Sequence, residues 1–240
     1  MREILGRRRK LSLRRAGRSA VLTAALTYAT EWQWPVVPGV GLRPGRLREC
    51  GCPDPECAHP GAHPFDPGLL AATTDARMVR WWWTNRPEAP VVLATGGRAP
   101  CAVSLPAVAG ARALAALDRA GVRVGPVVAT PTRWTLLVAP YSLEALGELL
   151  HRQDWVPGSL RFHGEGGYTV LPPSPTGAGQ VRWERAPRPA APAPARAGRG
   201  GGRSRPAEPA RPWLPDVATL VDVLVEQCAG TGGDSTRLAH

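Results

Sequence analysis

Between Pro90 and Gly110 the chain reads PVVLATGGRAPCAVSLPAVAG, and this run constrains the fold more than any other. Residues 91–94 and 101–105 are short apolar runs separated by Gly96-Gly97, a pattern that suits two buried strands joined by a turn. Pro106 ends the second strand. Residues 107–120 then read as an Ala-rich helix with Val108, Ala111, Leu114 and Leu117 at helical spacing. The ends of central strands are where α and β proteins usually mount their chemistry. Residues 90–111 contain no Asp, Glu, His or Lys, so a site built on this platform lacks the groups that bind metal or move protons.

With 240 residues, 43% of them hydrophobic and 20% charged, the chain can bury one full core as a globular domain with tails. Its formal net charge of +11 would ordinarily suggest a polyanion partner. Only Lys10 among the 30 basic residues is not Arg, and Gly and Pro number 27 each. That bias fits a GC-rich bacterial genome, which discounts the arginine excess as functional evidence. Position matters more than total. Residues 1–18 hold 8 basic and 1 acidic residues, and residues 182–211 hold 8 and 2, whereas residues 19–181 hold 13 and 12. The body is nearly neutral, so any electrostatic footprint for DNA or RNA is expected in the basic flanks.

Arg14, Arg15 and Arg18 before the apolar residues 20–29 imitate a secretory signal, but Glu31 follows and no small-residue cleavage site does. No span is long enough to cross a membrane. A cytoplasmic protein without membrane contacts is expected, which favours thiols or metal ligands over disulfides for the five cysteines. Three of them, Cys50, Cys52 and Cys57, share a Pro-rich loop with His59 and His63 in the order C-x-C-x4-C-x-H-x3-H. Three thiolates and one imidazole form a standard structural zinc set, and rigid Pro turns bring separated ligands onto one centre. Two histidines compete for the fourth place. His63 is preferred to His59.

In chain order, residues 1–18 form a basic arm. Residues 19–32 read as a helix capped by Ser19, with Val21, Ala25, Tyr28 and Trp32 on one face, followed by an apolar strand at 34–37. Residues 71–87 give a helix with Thr74 as N-cap, Asp75 in its first turn, and Met78, Val79 and Trp82 on one face. Trp81, Trp82 and Trp83 cannot share a face, so at least one points elsewhere, with core packing favoured over base stacking. Strands at 122–130 and 134–139 flank the turn Pro131-Thr132-Arg133, and a helix at 142–152 is capped by Ser142. Two strands surround the turn at 164–167, and a last strand spans 180–185. Residues 186–211 are a low-complexity Pro, Ala, Gly and Arg linker that cannot bury enough apolar surface to fold. Residues 212–230 carry Val217, Leu220, Val221, Leu224, Val225 and Cys228 at helical spacing, and such a helix must cover its own body or a protein partner. Residues 231–240 are a tail.

The order of these elements and four stretches resemble the bifunctional DNA primase/polymerase N-terminal (Prim-Pol) domain of the archaeo-eukaryotic primase superfamily. The stretches are ALTYATEWQWPVVP, CGCPDPECAHPGAHP, ATTDARMVRWWW with RPEAPVVLATG, and FHGEGGYTVLPPSPTGAGQVRW, within residues 20–184. The resemblance implies an α+β fold, with an RRM-like mixed sheet, a small α/β module and a zinc-binding loop, over residues 19–185. It also implies two acids on the strand before the helix that hold divalent metal for nucleotidyl transfer. These fall at about Ser104 and Pro106. The family's nucleotide-contacting His falls near Thr135, and a third acid falls at Arg161.

None of these side chains ligates Mg²⁺ as a carboxylate, so the resemblance implies fold and ancestry while arguing against activity. Structural zinc is expected as cofactor, with no catalytic Mg²⁺ or Mn²⁺. Arg133, Arg161 and His163, near the inherited cleft, are the candidates for nucleotide or nucleic-acid binding, since an Arg neutralises phosphate without metal. The bland alternative has both arginines solvated and His163 packed in a turn. Two other functions compete: a protein-interaction scaffold that docks through the C-terminal helix, and an active primase/polymerase with acids drawn from Glu165, Asp118 or Asp154.

Overall fold

The computed structural model describes residues 20–46, 48–190 and 211–230. The basic arm at 1–18, the Ser19 cap, the linker's residues 191–210 and the tail at 231–240 lie outside the described residues.

Helix α1 covers residues 20–31 and winds as a π-helix over Thr27–Glu31. It buries Val21, Ala25 and Tyr28, the face that the sequence marks as apolar. Helix α2 (Ala76–Asn85) is capped by Asp75, whose carboxylate accepts from the Met78 amide at 2.8 Å. Thr74 therefore is not the cap: the helix begins one residue later than its sequence suggests, and only a residue at the Asp75 position reaches the third amide. Val79, Trp82 and Trp83 are buried, while Trp81 and Met78 are 61% and 45% exposed. The tryptophan run thus sends two rings inward and one out.

These helices pack on a small sheet in which β1 (Val36–Pro38) pairs with β2 (Val91–Ala94), and β2 with β7 (Tyr168–Leu171). The large sheet holds β3 (Cys101–Pro106), β4 (Val127–Ala129), β5 (Arg133–Val138), β6 (Arg161–His163), β8 (Ser174–Thr176) and β9 (Gly179–Arg185) in the order β6-β3-β5-β4-β9-β8. Helix α3 (Ala107–Arg119) links β3 to β4, and helix α4 (Leu143–His151) links β5 to β6. In both cases a third strand lies between the two that the helix joins, the split βαβ arrangement of RRM-like and ferredoxin-like domains. The α+β architecture is the expected one. The sheet expected to be mixed is antiparallel in every pairing, because β3 and β5 are inserted between the strands that would otherwise run parallel.

Of the strand pairs that look like hairpins in the sequence, β4 and β5 form one around residues 130–132, and the other two do not. β2 and β3 belong to different sheets, as do β6 and β7. Gly96, at φ 92°, carries the chain from one sheet to the other, and a Cβ there would lie 2.4 Å from the Glu165 Cα in the turn between β6 and β7. The two crossover turns pack on each other, and only a glycine permits that approach. Thr95 reinforces the contact by donating its hydroxyl to the Gly164 carbonyl at 2.6 Å.

One face of the large sheet, with Ala102, Val128, Leu137 and Val181, joins the core formed with α1, α2 and the small sheet. The other face, with Cys101, Val103, Leu105, Leu136 and Val138, is covered by α3 and by α5 (Val221–Ala229). Helix α3 turns Ala109, Gly110, Ala113 and Leu117 inward and leaves Val108 60% exposed, a rotation from the face that apolar spacing suggests. Small residues face the sheet because the helix lies close to it: a Cβ on Gly110 would be 2.7 Å from the Trp134 Cβ. Val217, Leu220, Val221, Leu224, Val225 and Cys228 are all buried in this second core. The apolar face of the C-terminal helix therefore covers the chain's own body, which answers the choice left open by its pattern. No helix among the described residues is long and apolar enough to cross a membrane.

Candidate functional site

Ser104 pairs with Thr135 on one side and with Arg161 on the other. Three positions far apart in sequence thus form one row across β5, β3 and β6. Cross-strand partners in antiparallel pairs point to the same face, so Thr135, Ser104 and Arg161 share a surface. Two residues along each strand, the same face carries Pro106 opposite Arg133 and Ala102 opposite His163. The sheet brings Ser104, Pro106, Thr135, Arg133, Arg161 and His163 into one patch on the face that continues into the first core.

At the centre of this patch, Arg133 is fixed by three acceptors. Its Nη2 donates to the Ser104 carbonyl at 2.8 Å, to the Ser104 hydroxyl at 3.1 Å and to the Ser159 carbonyl at 2.9 Å. The Ser104 hydroxyl lies 3.0 Å from His163 Nε2. Because Arg133 already donates to Ser104 Oγ, the serine proton is free to be given to that nitrogen, which suits a neutral imidazole. Burial holds the His163 pKa below its ordinary value, and the charges of Arg133, Arg161 and His59 depress it further. Burial and then Arg161 likewise lower the Arg133 pKa, and a guanidinium stays charged under such a shift. Among the described residues, no carboxylate is hydrogen-bonded or ion-paired to Ser104, Arg133, Arg161 or His163. Of the acids considered as replacements, Asp118 is held by Arg185 at 2.7 Å, and Glu165 sits exposed in the turn against Gly96.

The loop before α2 gathers Cys50, Cys52, Cys57 and His63, whose ligand atoms all lie within 4.8 Å of one another. His63 Nε2 is 3.3 Å from both Cys50 Sγ and Cys57 Sγ. Around a tetrahedral zinc, sulfur and nitrogen ligands stand roughly 3.5 Å apart. The other ring nitrogen, Nδ1, lies 2.9 Å from the Pro64 carbonyl. A proton on Nδ1 bonds there and leaves Nε2 unprotonated toward the thiols, the second contact typical of a metal-bound histidine. Burial opposes the Cys50 thiolate, but hydrogen bonds from the Gly61 and Cys52 amides, with the adjacent Cys52 and His63 side chains, bring its pKa down to about 6. The donor set fits a metal such as zinc. His59 stays outside the cluster. Burial lowers its pKa, followed by Arg161, His63 and Arg133, so it belongs to the electrostatic surroundings of the cleft.

Residues 25–196 match the family described as bifunctional DNA primase/polymerase, N-terminal, or Prim-Pol. The chain belongs to the Prim-Pol family. No curated protein and no solved structure matches it.

The Prim-Pol match contains the Cys/His cluster and the whole Thr135–Ser104–Arg161 row. It ends before α5, although that helix completes the core beneath the row. Sequence reasoning missed the roles of His59 and Ser159. Five candidate ligands for four places signal a spare imidazole, but its direction toward the cleft depends on the loop's packing. The Ser159 carbonyl that holds Arg133 carries no sequence signal at all.

Proposed function

We propose that this Prim-Pol chain is a catalytically inactive member that binds nucleic acid or nucleotides through their phosphates. The observation that supports the reading is the row across β5, β3 and β6, where hydroxyls and a guanidinium stand together, at positions that the resemblance assigns to the family's metal-binding and nucleotide-contacting groups. Nucleotidyl transfer needs divalent cations against the triphosphate, and those cations need carboxylate oxygens. A guanidinium at the same place repels a cation but pairs with phosphate directly. Arg133 is preorganised for that task by its three bonds, and Arg161 is exposed beside it. The basic flanks add sequence-independent attraction. Zinc held by Cys50, Cys52, Cys57 and His63 is structural in this reading: it closes a loop lacking a core of its own and positions His59 near the cleft.

The test is the affinity for a labelled single-stranded oligonucleotide in magnesium-free buffer over a salt series. Removing residues 1–18 and 191–210 should abolish most of the affinity. The remainder should fall about tenfold on Arg133→Gln with Arg161→Gln, with a salt slope smaller by about 1.4 for two lost phosphate contacts. Truncated protein that binds equally well with and without these two substitutions would remove the cleft from the account.

A further inference from the structure

A second cationic site lies elsewhere on the fold. Between the α3–β4 connection and the end of β9 is a cavity of about 160 Å³, walled by Arg123, Pro126, Arg185, Arg188 and Trp213. At roughly 30 Å³ per water molecule, that space holds about five waters, enough for a phosphate group. Arg123 stacks on the Trp213 ring with its guanidinium carbon 3.9 Å from the centroid. Such stacking orients the planar group while leaving its edge donors available. Arg185 is neutralised by a two-oxygen pairing with Asp118 at 2.7 and 2.9 Å. Arg123 and Arg188 form no ion pair among the described residues.

The walls are fixed by backbone contacts. Trp213 N donates to the Arg188 carbonyl at 2.9 Å, and Ala190 N donates to the Arg211 carbonyl at 3.0 Å. A Cβ on Gly125 would meet the Pro215 Cδ at 2.5 Å, so the connection is seated tightly on the segment that carries Trp213. Two uncompensated guanidinium groups are thus held on one small polar cavity. Both residues are exposed, so their guanidinium groups are open to an anion that arrives from solvent. In sequence, Arg188 and Trp213 bracket residues 191–210, which hold four Arg and one Glu. It sits where β4 and β9 pair at Val127 and Arg185, whereas the cleft occupies β6, β3 and β5.

We propose that this cavity is a phosphate-binding site, with Arg123 and Arg188 as the ligating groups and Trp213 as the plate that orients Arg123. The shared chemistry is a phosphate oxyanion, and its source is either a free phosphate compound or the backbone of a single-stranded nucleic acid. The proposal does not depend on the cleft.

The experiment uses the full chain carrying Arg133→Gln and Arg161→Gln, so that the cleft cannot contribute. Pyrophosphate is titrated by calorimetry, and a labelled ten-nucleotide oligothymidylate by anisotropy. Adding Arg123→Gln and Arg188→Gln should weaken binding about tenfold or more for the probe that uses the site. Pyrophosphate binding lost in this way identifies a free phosphate compound as sufficient, and loss with the oligonucleotide alone identifies backbone phosphate. Arg188→Gln by itself, at an exposed position, guards against misfolding and should weaken binding in the same direction. Neither probe binding the cleft-neutralised chain, or both binding it equally with and without Arg123 and Arg188, would overturn the proposal. Loss of cleft binding in the oligonucleotide test above would leave this result unaffected, so the two readings fail separately.

Discussion

Arg161 stands directly opposite Ser104 in the pairing of β6 with β3. A site built to hold two divalent cations does not tolerate a guanidinium facing its central position, whereas a site that holds phosphate gains from it. The same row makes Arg133, His163 and His59 intelligible as one cationic neighbourhood, since each of Arg133 and Arg161 depresses the pKa of both histidines.

The cysteine cluster should contain about one zinc per chain by metal analysis of purified protein. His63→Ala and Cys52→Ser should release the metal and lower the melting temperature, while His59→Ala should retain it. Equal metal content in the His59 and His63 variants would show that the ligand set is misassigned.

Gly96 and Gly97 should respond differently to alanine although they are neighbours. At Gly96 the new Cβ meets Glu165 backbone atoms at 2.4 and 2.7 Å, which cannot yield as a flexible side chain can. Gly96→Ala should cost about 2 kcal/mol or more, combining overpacking with left-handed strain. Gly97, at φ 62° with nothing within 4 Å, should cost about 1 kcal/mol from strain alone. Denaturant melts of the two variants give the comparison, and similar losses would mean that the crossover turns do not pack as described.

How much of this was readable beforehand varies by element. β2 matches the expected run, β3 exceeds it only by Pro106, and Ser142 caps α4 as expected, its hydroxyl accepting from the Ala145 amide. Short apolar runs report burial, but they do not say which of two sheets receives the strand, so the separation of β2 from β3 was invisible. β8 was missed because Pro175 at the centre of a three-residue edge strand gives no periodic signal. The α3 face differs from the apolar pattern because Gly110 lies in close approach to Trp134, which apolarity does not measure. At the site, the geometric cluster contains His63, the histidine preferred from the sequence, and leaves out His59. The resemblance gave the positions Ser104, Thr135 and Arg161, while their lying in register required the sheet.

Stability should fall as the solution is acidified through the histidine range, in part because of His163. Its folded pKa lies below the ordinary 6.5, so the unfolded chain takes up the proton first. The stabilisation is present above about 6.5 and is lost as pH falls toward the folded value. Urea melts from about pH 7.5 to about pH 5 should show a shallower pH dependence for His163→Gln than for the unaltered chain. Parallel curves would indicate that His163 is not held neutral by its surroundings.

Template-dependent incorporation of labelled nucleotides tests the central claim most directly. The protein is purified to homogeneity and assayed with Mg²⁺ and with Mn²⁺ against a sample denatured beforehand. Nucleotidyl transfer requires cations on carboxylates at a rigid strand, and β3 offers Cys101, Ala102, Val103, Ser104 and Leu105 before Pro106. The account predicts no incorporation above the denatured control, and none after Ser104→Asp with Pro106→Asp, because Thr135 and Arg161 also depart from the site that the resemblance implies. Incorporation above that control, lost on Glu165→Gln or on substitution of another nearby acid, would contradict the account and show that the chain rebuilt its metal site from other residues.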